Sequence, residues 1–125
     1  FSKNDVSPWL PVADEHRALA VSEQAKDGSS VLSTVKELIA IRSSEPGLHG
    51  DSVRFFHGGD HVLMFDRYGN DGLVRCVFNL SDGPVSVQLE STESWRLLIG
   101  SSEIEMPPSN LLQIAGFGWA YLKSR

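Results

Sequence analysis

The sequence predicts a mainly β protein: an antiparallel Greek-key β-sandwich preceded by an extended loop and one long α-helix. Three observations carry this. Strand signals recur about every ten residues after Pro46, and the stretches between them carry turn chemistry. Only one run in the chain, Ser29 to Arg42, shows strong helical periodicity.

The opening segment, Phe1 to Lys26, contains little that forms a regular element by itself. Pro8 and Pro11 bracket Trp9 and Leu10 in extended backbone, because each proline lacks a donor and biases its predecessor away from the helix. Trp9 is the candidate binding residue here, since an indole of that size is normally buried or stacked on a ligand. Residues Arg17 to Val21 read equally well as a helical turn or an extended piece. A loop this long in a compact domain has a job or a partner.

In the helix, Val31, Leu32, Val35, Leu38 and Ile39 recur at three and four residues, which predicts a half-buried face. Asp27, Ser29 and Ser30 offer oxygens to the first free N–H groups, and Pro46 stops the helix near Ser43 or Ser44. Arg42 falls at the centre of the apolar stripe. A snorkelling side chain that meets the last helix carbonyls is favoured there over a buried ion pair with a carboxylate from elsewhere. A one-faced helix needs a partner surface.

Strands are predicted at Val53–His57, His61–Arg67, Leu73–Leu80, Val85–Glu90, Trp95–Ile99, Leu111–Ile114 and Trp119–Lys123. Gly58-Gly59-Asp60, Gly69 to Gly72, Ser81 to Pro84 and Pro107 to Asn110 separate them. Val85, Val87 and Leu89 alternate with Ser86, Gln88 and Glu90, the pattern of a strand with one wet face. Short strands joined by tight turns make a sandwich. The domains are expected at 1–48, the loop and helix, and 49–125, the sandwich.

At 125 residues the chain is one domain's worth, with an ordinary 41% hydrophobic and 22% charged content. A net charge of −5 without a Lys/Arg cluster argues against nucleic acid or an anionic membrane as partner. No apolar run spans a membrane and no signal-peptide pattern is present. Cys76 is expected to be a buried small hydrophobe. The chain opens on Phe1 rather than Met and is expected to be a processed piece or fragment. The expected compartment is the cytoplasm, with the periplasm as the alternative.

His57-Gly-Gly-Asp-His61 gathers two imidazoles and a carboxylate as metal ligands do, yet a hairpin accounts for it, and no metal is expected at His57, Asp60 and His61. Asp66 to Asp71 fails the calcium-loop spacing and reads as a turn. Asn79-Leu80-Ser81 fits a glycosylation acceptor, a common accidental tripeptide. No nucleophile elbow, phosphate loop or Cys/His arrangement occurs, and most of the eight Asp and eight Glu look like solubilising charge. The chain by itself is expected to hold no catalytic residue and no cofactor.

Pro8-Trp9-Leu10-Pro11-Val12, then His16 to Val21, Gln24, Asp27 and Ser30-Val31-Leu32, resembles the end of an α-amylase-type (β/α)₈ barrel. The likeness is to the α-glucosidase and oligo-1,6-glucosidase branch of glycoside hydrolase family 13. It continues through Leu38-Ile39-Ala40-Ile41-Arg42, Glu45-Pro46 and Leu48, which are similar to the family's last barrel helix and its exit. Val62 to Arg67, Val77 to Ser81 and Phe117 to Leu122 resemble strands of the family's C-terminal β-sandwich.

This resemblance implies that residues 1–48 are the remnant of the barrel's last β/α unit and that 49–125 are the accessory sandwich. The parent enzyme would cleave terminal α-glucosidic bonds of oligosaccharides with retention. Its nucleophile, acid/base and third carboxylate would lie in barrel units absent from this chain, and Trp9 would lie on the active-site rim side. The implied partners are the missing barrel portion, or a second copy joined through residues 29–42, with an α-linked oligosaccharide as the parent's substrate. Two other readings compete: a free-standing carbohydrate-binding domain using Trp9, Trp95 or Trp119, and a plain interaction domain using the helix face. Trp95 and Trp119 sit in alternating patterns as core residues do, which speaks against the carbohydrate module.

Overall fold

The computed structural model describes residues 9–10, 13–69, 72–90, 94–101, 104–106 and 109–124. The chain divides into two compact units, residues 1–40 and 41–125, and the division falls inside the long helix.

In the first unit, the stretch around Arg17 to Val21, open to two readings in sequence, becomes a 3₁₀ turn at Asp14–Arg17 followed by helix α1, Val21–Gln24. Helix α2 spans Val31–Ser44. Of the three expected capping residues, Ser30 caps it: the Ser33 N–H donates to Ser30 Oγ at 3.2 Å. Gln24 Oε1 accepts the next free donor, the Leu32 N–H, at 3.1 Å. Asp27 accepts from Ser29 Oγ at 2.7 Å and Ser29 N at 2.8 Å, which holds the turn before the cap and lowers the Asp27 pKa. The expected half-buried face is only partly covered. Leu32 and Leu38 are half-buried, whereas Val31, Val35 and Ile39, each four residues apart, form an exposed line.

The second unit is the sandwich. All seven expected strands form, with ends moved by one or two residues: β1 Ser52–His57, β2 Val62–Gly69, β3 Gly72–Asn79, β4 Val85–Gln88, β5 Trp95–Gly100, β7 Leu111–Ile114 and β8 Trp119–Ser124. An eighth, β6 Ile104–Glu105, lies outside the sequence expectation, because two residues are too short to show alternation. One sheet has the order β1-β2-β3-β8-β5 and the other β4-β7-β6, with every pairing antiparallel. The chain changes sheet between β3 and β4, β4 and β5, β5 and β6, and β7 and β8, which is how the Greek-key crossings arise.

Because side chains alternate along a strand, the five-stranded sheet has two faces with different cores. Met64, Val77, Ala120 and Leu122 meet Val87, Leu89, Leu112 and Ile114 of the other sheet in the main core, together with Trp95. The outer face carries a second, smaller core, in which Val74 and Cys76 pack under Leu48 and Ile41. A 3₁₀ turn, Pro46–Leu48, lays Leu48 there. The approach demands glycine: a Cβ on Gly50 would lie 1.6 Å from the Tyr68 carbonyl oxygen, and one on Gly69 would lie 1.9 Å from that of Pro46. Lys123 Nζ meets Glu45 Oε2 at 2.6 Å, tying this entry segment to β8.

Candidate functional site

The most elaborate side-chain chemistry lies on the inner face of the five-stranded sheet. Asp66 on β2 and Arg75 on β3 are direct cross-strand partners, and both are buried. Arg75 Nε donates to Asp66 Oδ1 at 2.7 Å and its NH2 nitrogen donates to Oδ2 at 2.9 Å, a two-point charged contact. The NH1 nitrogen donates to Glu90 Oε2, just beyond the end of β4. The guanidinium carbon stands 4.5 Å from the ring centres of both Phe56 and Trp95. Arg54 stacks on Phe56 as well, at 5.0 Å.

Burial disfavours the charged form of Arg75, but the bonds to Asp66 and Glu90 outweigh it and hold the guanidinium charged. Burial would likewise raise Glu90, and the bond from Arg75 reverses this, so its pKa is lowered. Each charge is taken up by its neighbours. Such a cluster locks the two sheets together and is poorly suited to proton transfer, which needs a carboxyl group with freedom to titrate. Phe56, His57 and Met64 with Gln88, Leu89 and Glu90 line an open groove of about 550 Å³ beside it.

Asp66, which by sequence belongs to a turn as well as to a strand, lies in the middle of β2 and is 1% exposed. Asn70 and Asp71 of that expected turn lie outside the described residues, as do Pro107 and Pro108. His57 ends β1, and Gly59, at φ 125°, makes the turn in which Asp60 and His61 stand exposed. Among the described residues no group of three or more His, Cys, Asp and Glu is arranged to hold a metal. Asn79 is 2% exposed, with its amide nitrogen donating to Gly83 O at 2.7 Å and Ala115 O at 2.9 Å. Folded, it cannot accept a glycan, so the acceptor reading of that tripeptide fails on burial.

Cys76 is buried as expected, and burial pushes its thiol pKa up to about 12. Arg42 is exposed, which removes the buried ion pair from this chain. Its carbonyl instead meets the His49 ring. Trp9 is 91% exposed, and its neighbours 1–8 and 11–12 lie outside the described residues. Of the other two tryptophans, Trp95 is a core residue, whereas Trp119 is only half-buried, with its ring edge-on to Tyr121 at 5.6 Å.

Trp119 ends a row of rings on the outer face. Phe55–Phe65, Phe65–Phe78, Phe78–Tyr121 and Tyr121–Trp119 stand 5.6, 6.0, 6.0 and 5.6 Å apart. They cross β1, β2, β3 and β8 and leave Phe55 open at the sheet edge, 68% exposed beside exposed Val53 and Leu63.

Two antiparallel sheets in this strand order, reached from the end of a long helix, make a β-sandwich. No protein-family profile matches the chain. A probable alpha-glucosidase of Rhizobium meliloti (strain 1021) is 31% identical over 86 residues, 69% of this chain and 16% of that protein. Among solved structures, an alpha-glucosyl transfer enzyme is 33% identical over 94% of the chain, at a TM-score of 0.76. The trehalulose synthase of Pseudomonas mesoacidophila superposes at a TM-score of 0.81 over 94% of the chain, and at 24% identity it shows the fold alone. In both structures the match takes in 22% of the longer chain. In sequence and fold the chain is similar to the C-terminal β-sandwich region of α-amylase-superfamily (glycoside hydrolase family 13) enzymes. It spans about a fifth of the length of the solved relatives.

Proposed function

We propose that this chain is the structural C-terminal region of a retaining α-glucosidase, and that its parent hydrolyses terminal α-glucosidic bonds of oligosaccharides. A retaining enzyme needs two carboxyl groups about 5–5.5 Å apart across a substrate cleft. The nearest thing to such a pair in the site described above, Asp66 and Glu90, is bridged by Arg75 and so is a structural link. On this reading the catalytic carboxylates belong to the barrel, and Trp9 stands on the rim of its cleft.

The observation that carries the proposal is the uncovered apolar surface on both units. Val31, Val35 and Ile39 are 75, 45 and 59% exposed along α2, and Phe55 and Val53 are open at the edge of the sheet. Isolated exposed side chains need no explanation, but a line of them along a helix marks a docking face. The occupant we assign is the barrel portion of the same enzyme, with a second copy through residues 29–42 as the substitute when the barrel is missing. Similarity to an α-glucosidase and an α-glucosyl transfer enzyme supports the substrate class.

The test is light scattering on the purified chain together with an activity assay. The expected result is a dimer that Val35→Asp returns to monomer with the strands still folded, and no turnover of a nitrophenyl α-glucoside. A monodisperse monomer at high concentration, or measurable turnover, would overturn the proposal.

A further inference from the structure

Phe117 is unfavourable to the fold on two counts and is held in place all the same. Its backbone sits at φ 54°, in the left-handed region where a bulky side chain is strained. Its ring is 70% exposed. Either neighbour, Gly116 or Gly118, is a residue that would take this dihedral without strain.

The turn around it is rigid. The Phe117 N–H donates to Ser81 O at 2.8 Å and the Gly118 N–H to Ala115 O at 3.0 Å. Gly116 presses so close to the 79–83 loop that a Cβ there would lie 1.9 Å from Asp82 O. Buried Asn79 joins the two loops, donating to Gly83 O and Ala115 O and accepting from Ser81 N at 2.9 Å and Ser81 Oγ at 2.7 Å. The turn packs at the Asn79 end of β3, whereas the entry segment crowds the other end, where Gly47 approaches Gly72. Phe117 therefore projects from the end of the sandwich remote from that entry.

A strained, exposed ring on a rigid mount is suited to contact something outside the fold. One ring falls far short of the ~800 Å² per partner that a stable protein interface buries. It does match one face of a single sugar ring, and the adjoining loop supplies the exposed Asp82 as a hydroxyl acceptor. We propose that the Phe117 turn is a sugar-contact site, in which the C–H face of one α-linked glucose unit lies on Phe117 while Asp82 accepts its hydroxyls. This rests on the reading of the parent enzyme as an α-glucosidase, and it puts a second contact for the oligosaccharide on the sandwich.

The experiment is titration of maltose into the 125-residue chain, followed by amide chemical shifts, on the unsubstituted chain and on Phe117→Gly. The expected result is saturable shifts at Ser81, Asp82 and Gly116 to Gly118, with affinity reduced about tenfold or more in the variant. Its melting midpoint should equal or exceed that of the unsubstituted chain, because glycine relieves the strained dihedral. Three results would overturn the inference: no saturable shift, unchanged maltose affinity in Phe117→Gly, or a variant that melts well below the unsubstituted chain. If self-association through residues 29–42 is found while maltose leaves these amides unmoved, the sugar site fails and the proposed function stands.

Discussion

Replacing Arg75 with methionine is expected to be strongly destabilising. Methionine keeps much of the side chain's length and apolar contact but removes the bonds to Asp66 at 2.7 and 2.9 Å and the bond to Glu90. Asp66, whose side chain is 1% exposed, then keeps only the Tyr68 hydroxyl at 3.3 Å among these side-chain partners. Breaking one side of a buried ion pair costs ~3–5 kcal/mol, since the stranded charge has lost both water and its partner. The two cation–ring contacts are worth ~0.5–2 kcal/mol each, and methionine sulfur against the same rings returns ~0.3–1.5. The stranded carboxylate thus decides the outcome. Adding Asp66→Leu removes the second charge and should restore most of the loss, because apolar replacement of a buried pair is often neutral or better. Urea unfolding followed by tryptophan fluorescence reads both, provided the slope against urea is unchanged. Arg75→Met within about 1 kcal/mol of the unsubstituted chain, or a double variant no more stable than the single, would refute the reasoning.

Two further outcomes follow from the same structure. Glu90 has a folded pKa below its ordinary value of 4.5, so its stabilising bond is fully present above that pH and is lost as pH falls through the lowered value. The Glu90 side chain is 49% exposed, which limits the effect to ~1 kcal/mol; Glu90→Gln should flatten the melting profile in that acid window, and an unchanged profile would count against the link. Cys76 is 3% exposed with its thiol raised to about 12, so a disulfide reagent at about pH 8 should label it only on unfolding. Rapid labelling of the folded chain would show that the outer core under Leu48 opens.

The elements of this protein are legible because their signals are local. The three- and four-residue spacing from Val31 to Ile39, the stop at Pro46 and the alternation from Val85 to Leu89 act within a few residues, and α2 and β4 form where they say. The order of small motifs from Pro8 to Leu122 also carries the likeness to α-amylase-type enzymes. What the sequence could not determine is whatever depends on register and on which sheet faces which. Nothing along the chain marks Asp66 and Arg75 as a pair; the β2–β3 pairing sets them opposite each other on the inner face, with Glu90 brought in from just beyond the end of β4. The one available signal is that both stand two residues from inward apolar positions, Met64 and Val77. Trp119 has the same alternation as a core residue and yet lies half-buried in the outer row of rings, because a two-faced sheet makes alternation ambiguous about which face is inside. The sealing of Asn79 and the strained exposure of Phe117 arise from two loops 36 residues apart in sequence closing on each other. Local propensity fixes where strands and turns lie along the chain; only the tertiary pairing of those strands decides which side chains lose their water.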